Sequence, residues 1–91
     1  MTATKQTVTI INKRGLHARA SAKFVAAAAQ MDGTKITVTK DGTCALGGSI
    51  LGLMMLGAAK GDTIEIAAEG AEAEARLADL VALVESGFGE D

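Results

Sequence analysis

One histidine occurs in the chain, His17, inside Gly15-Leu16-His17-Ala18-Arg19-Ala20-Ser21. An imidazole titrates close to neutrality, so one ring nitrogen can stay unprotonated and nucleophilic. It can attack a phosphoryl donor and hold the group as a phosphoramidate, a bond reactive enough to pass the group onward. Two residues along, Arg19 can present a planar fork of donors to phosphate oxygens. The flanks suit this chemistry. Upstream, Thr7-Val8-Thr9-Ile10 alternates polar and apolar, as a half-buried strand does. Downstream, Ala20, Phe24, Ala27, Ala28 and Met31 recur at helical spacing. His17 therefore falls at or just before a helix N-terminus, where unpaired N–H groups and the dipole favour an anion. The bland alternative is a surface or capping histidine with no chemistry, beside a solvated arginine.

Gly15-Leu16-His17-Ala18-Arg19 resembles the phosphorylation-site motif of the HPr family, the histidine-containing phosphocarriers of the bacterial phosphotransferase system. The resemblance covers nearly the whole chain. Gly42 through Gly57 is similar to the family's second-helix region, with its regulatory serine at Ser49, and Glu69-Gly70 precedes a final helix in the family manner. It implies a phosphocarrier that takes the group on His17, at ring nitrogen Nδ1, from enzyme I and gives it to a IIA-type domain. The residues themselves do not choose between the two nitrogens. Such a protein is a substrate of other enzymes more than an enzyme itself. It needs no cofactor and no bound metal, and it is expected to be a monomer. Arg19 would hold the phosphate, supported by Ala18 and Ser21 on the same turn. Lys13 and Arg14 are expected to be weak electrostatic helpers. Leu16, Ala20, Ile50, Leu51, Met54 and Met55 would dock partners. One departure is Ala20, where family members often have proline. Alanine is an excellent helix former, so the exchange should cost the fold little.

The elements that must position these groups can be read in order. Residues 6–11 read as a first strand, and Asn12-Lys13-Arg14-Gly15 as a turn. Residues 18–31 read as a helix ended by Asp32-Gly33. Residues 34–39 alternate and are β-branched, which predicts a strand with Ile36 and Val38 inward. Asp41-Gly42 is a hairpin signal, followed by a short strand from Thr43 to Leu46. Residues 50–56 read as a short apolar helix and Gly57 to Gly61 as a loop. Thr63-Ile64-Glu65-Ile66 predicts a strand with both isoleucines inward. Residues 71–85 read as a last helix with Ala73, Leu77, Leu80, Val81 and Val84 as its apolar stripe. The tail, residues 86–91, is expected to fray. The order βαββαβα implies a mixed α+β layer in one domain over residues 1–91. The resemblance implies a four-stranded antiparallel sheet with three helices on one face.

Ser49 is a good N-cap for the short helix. The resemblance adds a regulatory role, as the target of a serine kinase and phosphorylase. On that helix Leu53 and Leu56 share one side, while Ile50, Leu51, Met54 and Met55 fall on the other. The second face reads as a docking patch, with methionines giving an adaptable surface. The lone Cys44 is expected to be a small core residue.

Composition excludes several classes. Ninety-one residues suit one core. With Phe24 and Phe88 the only aromatics, that core must be aliphatic and alanine-rich. A net charge of −2, with scattered basic residues, offers no footprint for nucleic acid. A single cysteine excludes an internal disulfide and a cysteine-based metal cluster. No apolar run reaches the ~18 residues of a membrane span. Met1-Thr2-Ala3-Thr4-Lys5 lacks a signal-like apolar region, so a soluble, cytoplasmic domain is expected. Two other functions compete. Ser49 opening a Met-rich helix suits an acyl-carrier protein with phosphopantetheine on that serine, but such carriers are helical and strongly acidic. An α+β regulatory binding module would need neither His17 nor Arg19.

Overall fold

Alternating burial builds the sheet. A computed structural model of the chain describes residues 3–90. It contains strands β1 (Thr4–Thr9), β2 (Thr34–Lys40), β3 (Thr43–Leu46) and β4 (Thr63–Gly70). Helices are α1 (Ala18–Ala29), α2 (Ile50–Met55) and α3 (Ala73–Glu85), and a single 3-10 turn spans Gly87–Gly89. The strands form one antiparallel sheet in the order β1-β4-β2-β3. Register aligns the apolar residues into rows. Ala45 lies opposite Val38, Val38 opposite Ile66, and Val8 opposite Ile64. All five are buried, whereas Thr7, Cys44 and Thr9, out of phase with them, are exposed. The helices cover the apolar face, and Phe24, Leu53, Leu77, Leu80 and Val84 fill the core from that side.

The inward assignments of Ile36, Val38, Ile64 and Ile66 agree with the structure, as does the stripe on α3, with Ala73 half-buried at its start. The Asp41-Gly42 turn has positive φ at both positions, 49° and 82°, which the two-residue hairpin requires. Three expectations are corrected. The first strand runs over 4–9 rather than 6–11, because Thr4 and Lys5 pair with Ala68 and Ala67 of a β4 that continues to Gly70. Beyond Thr9, Ile10 is bonded instead to the Gly61-Asp62 loop. Cys44 is exposed rather than in the core, because the hairpin register gives the inward place to Ala45.

The tail is the third correction. Gly87 and Phe88 are buried, Phe88 to 1% exposure. Lys23 Nζ donates to the Phe88 carbonyl at 2.7 Å. Phe88 takes a left-handed conformation (φ 59°) to turn its ring into the core. The segment is therefore held by its buried Gly87 and Phe88 and a half-buried Glu90, with Ser86 and Gly89 exposed; Asp91 lies outside the described residues. No helix among the described residues is long and apolar enough to cross a membrane.

Candidate phosphoryl-transfer site

The loop between β1 and α1 is built by Asn12 and Gly15. Asn12 is buried, and its amide nitrogen donates to the Gly15 carbonyl at 2.8 Å. Gly15 has φ +60°, and a Cβ there would meet the Ala58 carbonyl oxygen at 2.3 Å, so only glycine fits. The next amide, Leu16 N–H, donates to that same oxygen at 2.9 Å. The chain is thus fixed on both sides before it reaches His17.

His17 is the N-cap of α1, with extended backbone (φ −76°, ψ 179°). Its Nδ1 accepts from the Arg19 backbone N–H at 3.3 Å. Its Nε2 lies 2.7 Å from Glu90 Oε2. A backbone amide can only donate here and a carboxylate can only accept, so the proton sits on Nε2 and the lone pair on Nδ1. The side chain keeps 19% of its exposure, enough for an approaching donor. Arg19 is exposed one helical position past Ala18, itself exposed. A cleft of about 380 Å³ is lined by Lys13, Arg14, Arg19, Lys23, Gly89 and Glu90. Lys13 and Arg14 join Arg19 and Lys23 there, so four cations share one depression beside α1.

Glu90 is held from two sides. Asn12 Nδ2 donates to its Oε1 at 3.1 Å, while His17 holds Oε2. Burial pushes its carboxyl upward, but the hydrogen bonds from Asn12 and His17 and the positive charge nearby, that of Lys23 included, outweigh this. The net effect lowers its pKa below the ordinary carboxylate value.

Other candidates sit elsewhere. Ser21 is fully buried and its hydroxyl donates to the Leu16 carbonyl at 3.3 Å, so it braces the loop and faces no phosphate. Leu16 and Ala20 are in the core at 4% and 0% exposure, so neither is part of a docking surface. The helical period puts Ala20, three residues after His17, on the inner face together with Phe24. Ser49 caps α2, accepting from Gly52 N–H at 2.9 Å. Leu53 and Leu56 are buried beneath it, while Ile50, Leu51, Met54 and Met55 remain exposed. Sequence reasoning missed Asn12, Lys23 and Glu90. Phe88 was the available signal, since one of only two aromatics had to find a core.

The family described as PTS HPr component phosphorylation site matches residues 4–86. The chain belongs to the HPr family of phosphocarriers. Phosphocarrier protein HPr of Neisseria meningitidis serogroup A is 48% identical over 86 residues, covering 94% of this chain and 96% of that protein. Phosphocarrier protein NPr of Escherichia coli K12 is 42% identical, covering 96% and 97%. The crystal structure of HPr-C-His from Thermoanaerobacter tengcongensis superposes with a TM-score of 0.90 at 41% identity, covering 97% of this chain and 98% of that one. The HPr-like fold, a four-stranded antiparallel sheet with three helices, rules out the helical acyl carrier.

Proposed function

We propose that the protein carries a phosphoryl group on Nδ1 of His17. It accepts the group from enzyme I, the phosphoenolpyruvate-dependent kinase, and donates it to a IIA-type domain. The service is sugar transport or nitrogen-related regulation. The observation that carries this reading is the division of labour on the imidazole. Nε2 faces a carboxylate at 2.7 Å, leaving the Nδ1 lone pair at the mouth of a helix N-terminus. On arrival, phosphoryl oxygens take up the free N–H groups of that first turn, including Ala18, and the Arg19 guanidinium. The Nδ1 contact to Arg19 N–H is long at 3.3 Å, so little is given up when the lone pair turns to phosphorus.

The chain works as one monomeric domain over residues 1–91. Partners dock on the exposed face of α2, through Ile50, Leu51, Met54 and Met55, next to the site-bearing α1. Ser49, at the head of that face, is the point where a serine kinase and phosphorylase would set the affinity of docking.

Incubation with phosphoenolpyruvate and enzyme I, followed by intact-mass measurement, tests the assignment. One phosphate should be added, lost in mild acid and stable in alkali. His17→Ala should take up none while keeping its fold. Full acid-labile labelling of that variant would overturn the assignment.

A further inference from the structure

We propose that Glu90 is a positioning residue for phosphoryl transfer. Its carboxylate keeps the proton of His17 on Nε2, so that Nδ1 stays nucleophilic, and it offsets the charge the ring gains as the new bond forms. The inference rests on His17 being the acceptor. It lies outside the family match, which ends at residue 86.

Geometry carries the argument. Glu90 Oε2 is 2.7 Å from Nε2, the length of a charge-assisted hydrogen bond. The carboxylate has 17% of its exposure left and is not free to swing away. Asn12 holds the other oxygen at 3.1 Å, and the same amide grips the Gly15 carbonyl two residues before His17. Both partners of that amide are acceptors, so its orientation is fixed. The turn that delivers Glu90 is fastened by the buried Phe88 ring and by Lys23. Among the described residues, every other charged group lining the adjoining cleft is a cation: Lys13, Arg14, Arg19 and Lys23. Those groups suit the phosphate. The carboxylate suits the ring.

The transfer step balances with this arrangement. The Nδ1 lone pair forms a bond to the phosphorus of a phosphorylated donor protein. The bond from phosphorus to the donor breaks, and its electron pair leaves with the donor. No proton enters or leaves the ring, because Nε2 keeps its hydrogen. The ring gains one formal positive charge, and Glu90 faces it across the Nε2–H bond. The reverse step hands the group on and returns the ring to its starting tautomer. A carboxylate that orients an imidazole and stabilises its cationic form is the same arrangement as in the hydrolase triad.

The test uses the full chain with Glu90→Ala and Glu90→Gln. Nitrogen-15 NMR reads the His17 tautomer, single-turnover transfer from phosphorylated enzyme I reads the rate, and thermal melting reads the fold. The wild type should show the Nε2–H form. Glu90→Ala should give a mixture, and Glu90→Gln, able to offer its NH₂ to Nε2, should favour the Nδ1–H form. Both should transfer at least about tenfold more slowly, with the glutamine variant no faster than the alanine one. An unchanged tautomer in both variants, or wild-type transfer rates, would overturn the proposal. His17→Ala run in parallel separates the two failures. If it takes up no label while the Glu90 variants behave as wild type, the acceptor stands and the positioning role falls. If it labels fully, both fall.

Discussion

Lys23 Nζ donates to the backbone carbonyl of Phe88 at 2.7 Å, tying the second turn of α1 to the last turn of the chain. The helix that bears the site and the segment that completes it are thereby one structural unit. The Phe88 ring, at 1% exposure, anchors that unit in the core. Phe88→Ala should cost about 3–5 kcal/mol, the range for large aromatic truncations in a core. Urea unfolding measures it. A loss below about 1 kcal/mol would mean that the turn is only laid on the surface.

Acid stability should depend on Glu90. Its folded pKa lies below the ordinary value of 4.5. The unfolded chain therefore binds its proton first as pH falls, and this drives unfolding. The stabilisation is complete above 4.5 and is lost as pH falls through the lower, folded value. Glu90→Gln should flatten that limb of a stability–pH profile and leave the alkaline limb alone. An unchanged acid limb in the variant would contradict the pairing with Asn12 and His17.

Arg19→Ala should separate transfer from folding. The side chain is exposed and its loss should change stability by less than about 0.5 kcal/mol. Transfer from phosphorylated enzyme I should slow, because a donor fork to the phosphate oxygens is gone. Equal rates for variant and wild type would remove Arg19 from the phosphate-binding set.

Ser49→Asp should weaken partner binding without unfolding the domain. A carboxylate can replace the hydroxyl as acceptor from Gly52 N–H, and negative charge at a helix start is favourable. The same charge would sit beside Ile50, Leu51, Met54 and Met55, where a partner must desolvate it. A titration against enzyme I should show lower affinity, with near-normal transfer at saturation. Unchanged affinity would reduce Ser49 to a helix cap.

Much of this arrangement is legible in the amino-acid sequence. The β-branched alternation of 34–39 gave its inward residues, and the spacing of Leu53 and Leu56 gave the buried side of α2. The outward place of Cys44 is also implicit in the hairpin signal. A two-residue turn at Asp41-Gly42 pairs Lys40 with Thr43, which sets Val38 against Ala45 and turns Cys44 outward. A docking role for Leu16 and Ala20 rests on their place in a motif, whereas the helical period buries Ala20 and the loop bonded to the Ala58 carbonyl carries Leu16 into the core. Residues 86–90 failed for a different reason. Two glycines around Phe88 look like a loose end, yet their positive φ angles are what fold the ring inward. For Glu90 the buried Phe88 is the one indirect signal, because the meeting with His17 itself depends on a contact across 73 residues.

That contact, together with the strand order, governs when the molecule becomes competent during its own synthesis. β2 and β3 close a local hairpin, but among the described residues β1 pairs only with β4, which starts at Thr63. Pairings of such separation carry a loop-closure cost and form late. A ribosome that has passed residue 60 has exposed His17 without β4 to pair β1 or a carboxylate to face the ring. Chains arrested there should take no phosphate from enzyme I, whereas chains extended past Glu90 by a linker long enough to clear the exit tunnel should. On the proposed role of Glu90, full transfer competence should therefore appear only once residues 87–90 have emerged and packed against α1.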